Sequence, residues 1–146
     1  MHKILILNGP NLNMLGTREV HHYGSQTLEE INSKLNNIAI DNNCDIEFFQ
    51  SNHEGDIIDK IHSVVKNVDF ILINPAGYTH TSVAIRDALI LSKIPFIEIH
   101  ISNIFTREPF RHTSLLSDIA ISVISGLGVY GYECALRYAI KYTHRL

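Results

Sequence analysis

Two pairs of side chains in this sequence have the types and the spacing to move protons. Arg18 and Tyr23 lie five residues apart in a polar stretch. A free tyrosine titrates near pH ~10 and is a poor base at neutrality. A guanidinium within hydrogen-bonding range favours the phenolate, and a downward shift of roughly two to three units makes a useful general base. The second pair is Glu98 and His100, two apart in Phe96-Ile97-Glu98-Ile99-His100. Alternate side chains of a strand share a face, so the carboxylate is expected to orient the imidazole and favour its charged form.

These residues need elements to bring them together. Ile4 to Leu7 is a short apolar run stopped by Asn8-Gly9-Pro10, which reads as a strand buried on both faces. After a long polar connection, Leu28, Ile31, Leu35 and Ile38 recur at helical steps, with Ser25 or Thr27 as the cap and Glu29 and Glu30 in the first turn. Asp45 to Phe49 reads as a second strand, and Ile57, Ile58, Ile61, Val64 and Val65 as a second helical face. Phe70 to Ile73 is a third strand and Ser82 to Leu91 a third helix. Pro95 to Ile101 and Ile119 to Ile124 are further strands, and Tyr130 to Tyr142 a closing helix. This alternation predicts a three-layer α/β/α arrangement with a five-stranded parallel sheet in the flavodoxin-like order 2-1-3-4-5. Residues 1–146 read as a single catalytic domain, with no internal repeat or linker.

In such sheets ligands bind at the carboxyl ends of the strands, at the switch point. The segments leaving strands one, three and four are the ones that carry polar groups. They are Asn8 to Gly24, then Asn74 to Ser82, and then His100, Ser102, Asn103, Arg107 and Arg111. The segment after strand two is less rich, although it carries His53 and Glu54.

Several chemistries are excluded by residue type. No GxxxxGK[ST] is present, and Gly126-Leu127-Gly128-Val129-Tyr130-Gly131 follows the last strand rather than the first. Strands one and three end in Asn8 and Asn74, so the acidic pocket of a phospho-acceptor domain is missing. His21 and His22 are adjacent and diverge, and read as exposed loop residues rather than metal ligands. A flavodoxin-like mononucleotide-binding module is the alternative to an enzyme, but the loop after strand one offers a hydroxyl only late, at Thr17. The net charge of −3 gives no basic face for nucleic acid. Cys44 and Cys134 form no CxxC pair, which fits free thiols in a reducing compartment. The N-terminal run is too short for a signal peptide, and no apolar stretch approaches ~20 residues. A cytoplasmic location is expected.

Four linked stretches resemble the type II 3-dehydroquinate dehydratases. The first is Asn8-Gly9-Pro10-Asn11-Leu12-Asn13-Met14-Leu15-Gly16-Thr17-Arg18-Glu19 with Tyr23-Gly24. The second is Gln50 to Gly55, and the third Ile73 to Ser82. The fourth is Glu98 to Asn103 with Arg107-Glu108 and Phe110-Arg111-His112, and the tail Gly126-Leu127-Gly128 with Gly131-Tyr132 also fits. The resemblance implies dehydration of 3-dehydroquinate to 3-dehydroshikimate in aromatic biosynthesis or quinate breakdown, without metal or organic cofactor. It implies Tyr23 as proton acceptor, Arg18 as transition-state stabiliser, and Asn11 as holder of a water on the enolate. His100 would be the proton donor, oriented by Glu98. Asn74, His80, Ile101, Ser102 and Arg111 match substrate-binding positions, and Arg107 matches a loop support. Asp87 matches a residue that reaches a neighbouring subunit's site, in a homododecamer built from trimers. Val20 stands where a proline is common, and Thr113 and Leu116 replace the more usual His and Tyr.

Overall fold

The computed structural model describes residues 1–17 and 24–145. Five strands form one parallel sheet: β1 (Lys3–Asn8), β2 (Asp45–Gln50), β3 (Phe70–Asn74), β4 (Phe96–His100) and β5 (Ser122–Ser125), in the order β2-β1-β3-β4-β5. The helices are α1 (Leu28–Asp41), α2 (Glu54–Ser63), α3 (Val83–Ser92) and α4 (Tyr130–Thr143). This is the expected flavodoxin-like topology. No helix among the described residues is long and apolar enough to cross a membrane.

The continuous apolar runs of the central strands follow from burial on both faces. Ile4, Ile6, Phe70, Leu72, Ile97 and Ile99 pack with the inner faces of α1 and α4. Their alternates Leu5, Leu7, Ile71, Ile73 and Phe96 pack with α2 and α3. Complete burial of each such side chain contributes about 1.5–3 kcal/mol. Thr27, not Ser25, caps α1: its side-chain oxygen accepts from Glu30 N at 3.1 Å. Ser82 caps α3 through Ile85 N at 2.9 Å.

Most boundaries shift by a residue or so from the periodicity, and the ends of α2, β4 and β5 shift for visible reasons. α2 ends at Ser63, so Val64 caps it and Val65 is exposed. β4 covers Phe96–His100, leaving Pro95 and Ile101 outside it. β5 starts at Ser122 because Ile119 is held in a turn by its N–H to Leu116 O at 3.1 Å. The apolar Ile119 and Ala120 pack on the α2/α3 side as a plug instead of extending the strand.

The register brings the functional loops out of one edge. Asn8 is level with both Gln50 and Asn74. Gly9 then crosses so close to the next loop that a Cβ there would lie 2.5 Å from Pro75 O, while its N–H donates to Asn74 O at 2.8 Å. Only glycine fits this approach. Gly9→Ala should therefore lower stability by about 1–3 kcal/mol, read as a lower urea midpoint at unchanged m-value. An unchanged midpoint would mean that the two loops separate freely.

Candidate active site

The carboxyl ends of β1, β3 and β4 surround a cavity of ≈ 210 Å³. Asn11, Asn74, His80 and His100 line it from the first two loops and the tip of β4. Ile101, Ser102, Arg107 and Arg111 line it from the loop after β4. Eight expected site residues thus converge. Glu98 lies beneath His100, fully buried. Asp87 does not line this cavity, and it is exposed on α3. Arg18, Tyr23, Val20 and the His21-His22 pair lie outside the described residues.

The Glu98–His100 alternation resolves as a direct interaction: His100 Nε2 donates to Glu98 Oε2. Three hydroxyls share the same carboxylate. Thr79 Oγ1 and Ser114 Oγ reach Oε2 at 2.8 Å each, and Ser117 Oγ reaches Oε1 at 2.7 Å. Burial is the largest influence on this carboxyl and pushes its pKa up. The hydrogen bond and charge of His100, with the Ser117 and Ser114 hydroxyls, together outweigh it and hold the carboxyl below its ordinary value. With Nε2 committed to Glu98, Nδ1 is the ring atom left for chemistry in the cavity.

The loop after β4 provides the positive wall. Arg107 Nη1 donates to Ser102 Oγ at 3.2 Å. Arg111 Nε donates to Glu108 Oε1 at 3.0 Å, and its guanidinium lies 5.1 Å from the Phe110 ring centre. Two guanidiniums beside an imidazole suit an anionic, hydroxylated ligand. His80 is oriented by donating Nδ1–H to Thr113 O at 2.8 Å, a backbone contact that the Thr113 side chain does not alter. Leu116 is fully buried under the same segment.

Two supporting networks escape sequence reasoning. Asn52 braces the first loop: its Oδ1 accepts from Asn11 N at 2.9 Å and from Gln50 Nε2 at 3.2 Å, and its carbonyl accepts from Tyr78 Oη at 2.8 Å. Asn11 sits at φ 70° there, a left-handed conformation that asparagine tolerates. The second network is buried. Tyr132 Oη donates to Asn8 Oδ1 at 2.7 Å and accepts from Asn74 Nδ2 at 2.8 Å. Asn74 Oδ1 in turn accepts from Ala76 N at 3.1 Å, holding Ala76 at φ 51°. One signal was available for this network: Tyr132 falls on the apolar face of α4, and a buried tyrosine hydroxyl needs a partner.

A doubly wound α/β domain with an imidazole–carboxylate pair and two guanidiniums at the strand ends defines a class of small-molecule enzyme. The comparisons narrow the class. Residues 2–140 match the family described as Dehydroquinase class II. A 3-dehydroquinate dehydratase of Haemophilus influenzae is 60% identical over 141 residues, covering 97% of this chain and 95% of that protein. The type II dehydroquinase of Butyrivibrio crossotus superposes with a TM-score of 0.91 at 47% identity, covering 94% of this chain and 97% of its own. That of Propionibacterium acnes gives 0.92 at 40% identity, covering 97% of each. The chain belongs to the class II dehydroquinase family.

The Tyr132 network makes a measurable demand. Tyr132→Phe leaves Asn8 Oδ1 and Asn74 Nδ2 without that shared partner in a buried setting. The expected cost is about 2–4 kcal/mol, seen in urea or thermal unfolding. A loss below experimental error would show that the hydroxyl contributes nothing.

Proposed function

We propose that this chain converts 3-dehydroquinate to 3-dehydroshikimate and water, by anti elimination through an enolate, in the shikimate route to the aromatic amino acids. The observation that carries the reading is His100 held on the buried Glu98 carboxylate at a cavity flanked by Arg107 and Arg111. The family membership of the chain supports the substrate.

The steps follow from proton and electron bookkeeping. Tyr23, as phenolate beside Arg18, takes the proton from the carbon next to the ketone. The C–H electrons move onto the carbonyl oxygen, forming the enolate. Asn11, through a bound water, stabilises that oxygen. When the carbonyl re-forms, the electrons make the conjugated C=C bond and the C–O bond breaks. His100 gives a proton to the departing hydroxyl, which leaves as water. Arg111, with Asn74, His80, Ser102 and the backbone at Ile101, holds the carboxylate and hydroxyl groups. Arg107 keeps the loop after β4 in place through Ser102. Side chains and water suffice for every step.

The working form is a cytoplasmic homododecamer of trimers, with Asp87 reaching a neighbouring subunit's site. Val83, Asp87, Ile90 and Leu91 fall on one face of α3, and all four are exposed in the single chain. An apolar face of this kind around one carboxylate supports an interface there.

Purified protein mixed with 3-dehydroquinate should produce the ultraviolet absorbance of a conjugated enone. No turnover would overturn the reading. Tyr23→Phe should lower kcat by about 10²-fold or more while substrate still binds, and a rate near that of the parent would remove Tyr23 as the base. Sedimentation should show a twelve-chain particle at working concentration, whereas a monomer or dimer would contradict the assembly.

A further inference from the structure

The family chemistry assigns work to Glu98 and His100, but not to the groups that surround Glu98. A carboxylate with no exposed surface is costly unless its lone pairs are filled. Here four donors engage them, three at Oε2 and Ser117 at Oε1, and three are hydroxyls from two separate segments. Thr79 comes from the turn before α3. Ser114 and Ser117 come from the 112–118 segment, which reaches Glu98 on the α2/α3 side of β4.

The hydrogens can be counted. Each hydroxyl carries one. Thr79 Oγ1, Ser114 Oγ and Glu98 Oε2 form a triangle with all three edges at 2.8 Å. Leu116 N donates to Ser114 Oγ at 3.1 Å, so that oxygen's acceptor side is engaged and its hydrogen is free for Glu98. Each hydroxyl gives its one hydrogen to Oε2, so the Thr79–Ser114 edge is a close contact without a hydrogen of its own. Ser117 is the hydroxyl on Oε1. A carboxyl proton would have to compete with these donors on either oxygen.

We propose that Thr79, Ser114 and Ser117 are positioning residues: their hydroxyls donate to both oxygens of Glu98 and favour its ionised form, so that it only accepts, which keeps the hydrogen on His100 Nε2 and leaves Nδ1 for the cavity. The inference rests on His100 acting as the acid in the proposed dehydration. The charged groups on the packed elements are few among the described residues. His100 is on β4 itself, and His80 ends the turn that carries Thr79. Arg107, Glu108, Arg111 and His112 lie on the loop after β4. Asp118 ends the covering segment and is paired with Arg86 of α3, whose Nη1 also donates to Leu115 O at 2.9 Å. Ile73 and Val123, the sheet neighbours of Glu98, add no charge. The direction in which burial pushes the carboxyl fits this assignment: without the hydroxyls, Glu98 moves towards its neutral form.

The test is Ser117→Ala, with Ser117→Thr as the variant that keeps a hydroxyl. In Ser117→Ala the acid limb of the kcat–pH profile should move up by about one unit, with KM at neutral pH unchanged and Ser117→Thr close to the parent. Difference infrared spectroscopy gives a readout independent of turnover. The protonated-carboxyl band of Glu98, assigned by its loss in Glu98→Gln, should appear at higher pH in Ser117→Ala than in the parent. Superimposable pH profiles and infrared titrations would overturn the proposal, as would a Ser117→Thr variant that behaves like Ser117→Ala. Failure of the parent to dehydrate 3-dehydroquinate would remove the functional reading alone, because the infrared titration still decides the role of the hydroxyls.

Discussion

A carboxylate buried out of reach of water is the constraint around which the cavity end of this protein is built. Isolated, the Glu98 charge would be expelled or neutralised. It is retained because His100, Thr79, Ser114 and Ser117 all donate to it. Meeting that demand explains features that otherwise look unrelated. The 112–118 segment must lie across β4 to deliver two hydroxyls. Leu116 and Ile119 must plug the space beneath it. β5 consequently begins late, at Ser122. The same segment offers Thr113 O to His80, so the carboxylate beneath His100 and a group that borders the cavity are held by one stretch of chain.

A second constraint operates at the ends of β1 and β3. Two asparagines terminate these strands side by side, where backbone ladders stop and polar groups need partners. Tyr132 supplies one hydroxyl to both, from a helix more than fifty residues along the chain. Asn74 is thereby fixed in orientation before any ligand arrives. Gly9 allows the two loops to touch without a side chain between them. Asn52 then ties the β2 edge to both, through Asn11 and Tyr78. The cavity is lined by loops, but the groups that aim its side chains are buried or cross-braced, which is how a loop site acquires precision.

Much of this was legible in the residues themselves. Period-two and continuous apolar runs marked the strands, and three-to-four steps marked the helices, because burial on one or both faces imposes those periods. Strand alternation placed Glu98 and His100 on one face, and the structure joins them. The switch-point rule gathered Asn11, Asn74, His80, His100, Ser102, Arg107 and Arg111 in one place. Val65 and Ile119 show where periodicity fails: an apolar residue next to an element satisfies the pattern whether it extends the element or caps and plugs it.

What the sequence determined by itself was therefore the set of elements, their order and the reactive side chains at the strand ends, since all of these depend on local periodicity and residue type. What only the tertiary structure decided was the support: which hydroxyls hold Glu98, which tyrosine locks Asn74, and which asparagine carries the Asn11 loop. Serine, threonine and asparagine in loops have no periodic signature. Their partners are chosen by which buried donor or acceptor would otherwise go unmatched, and that is settled when distant segments pack.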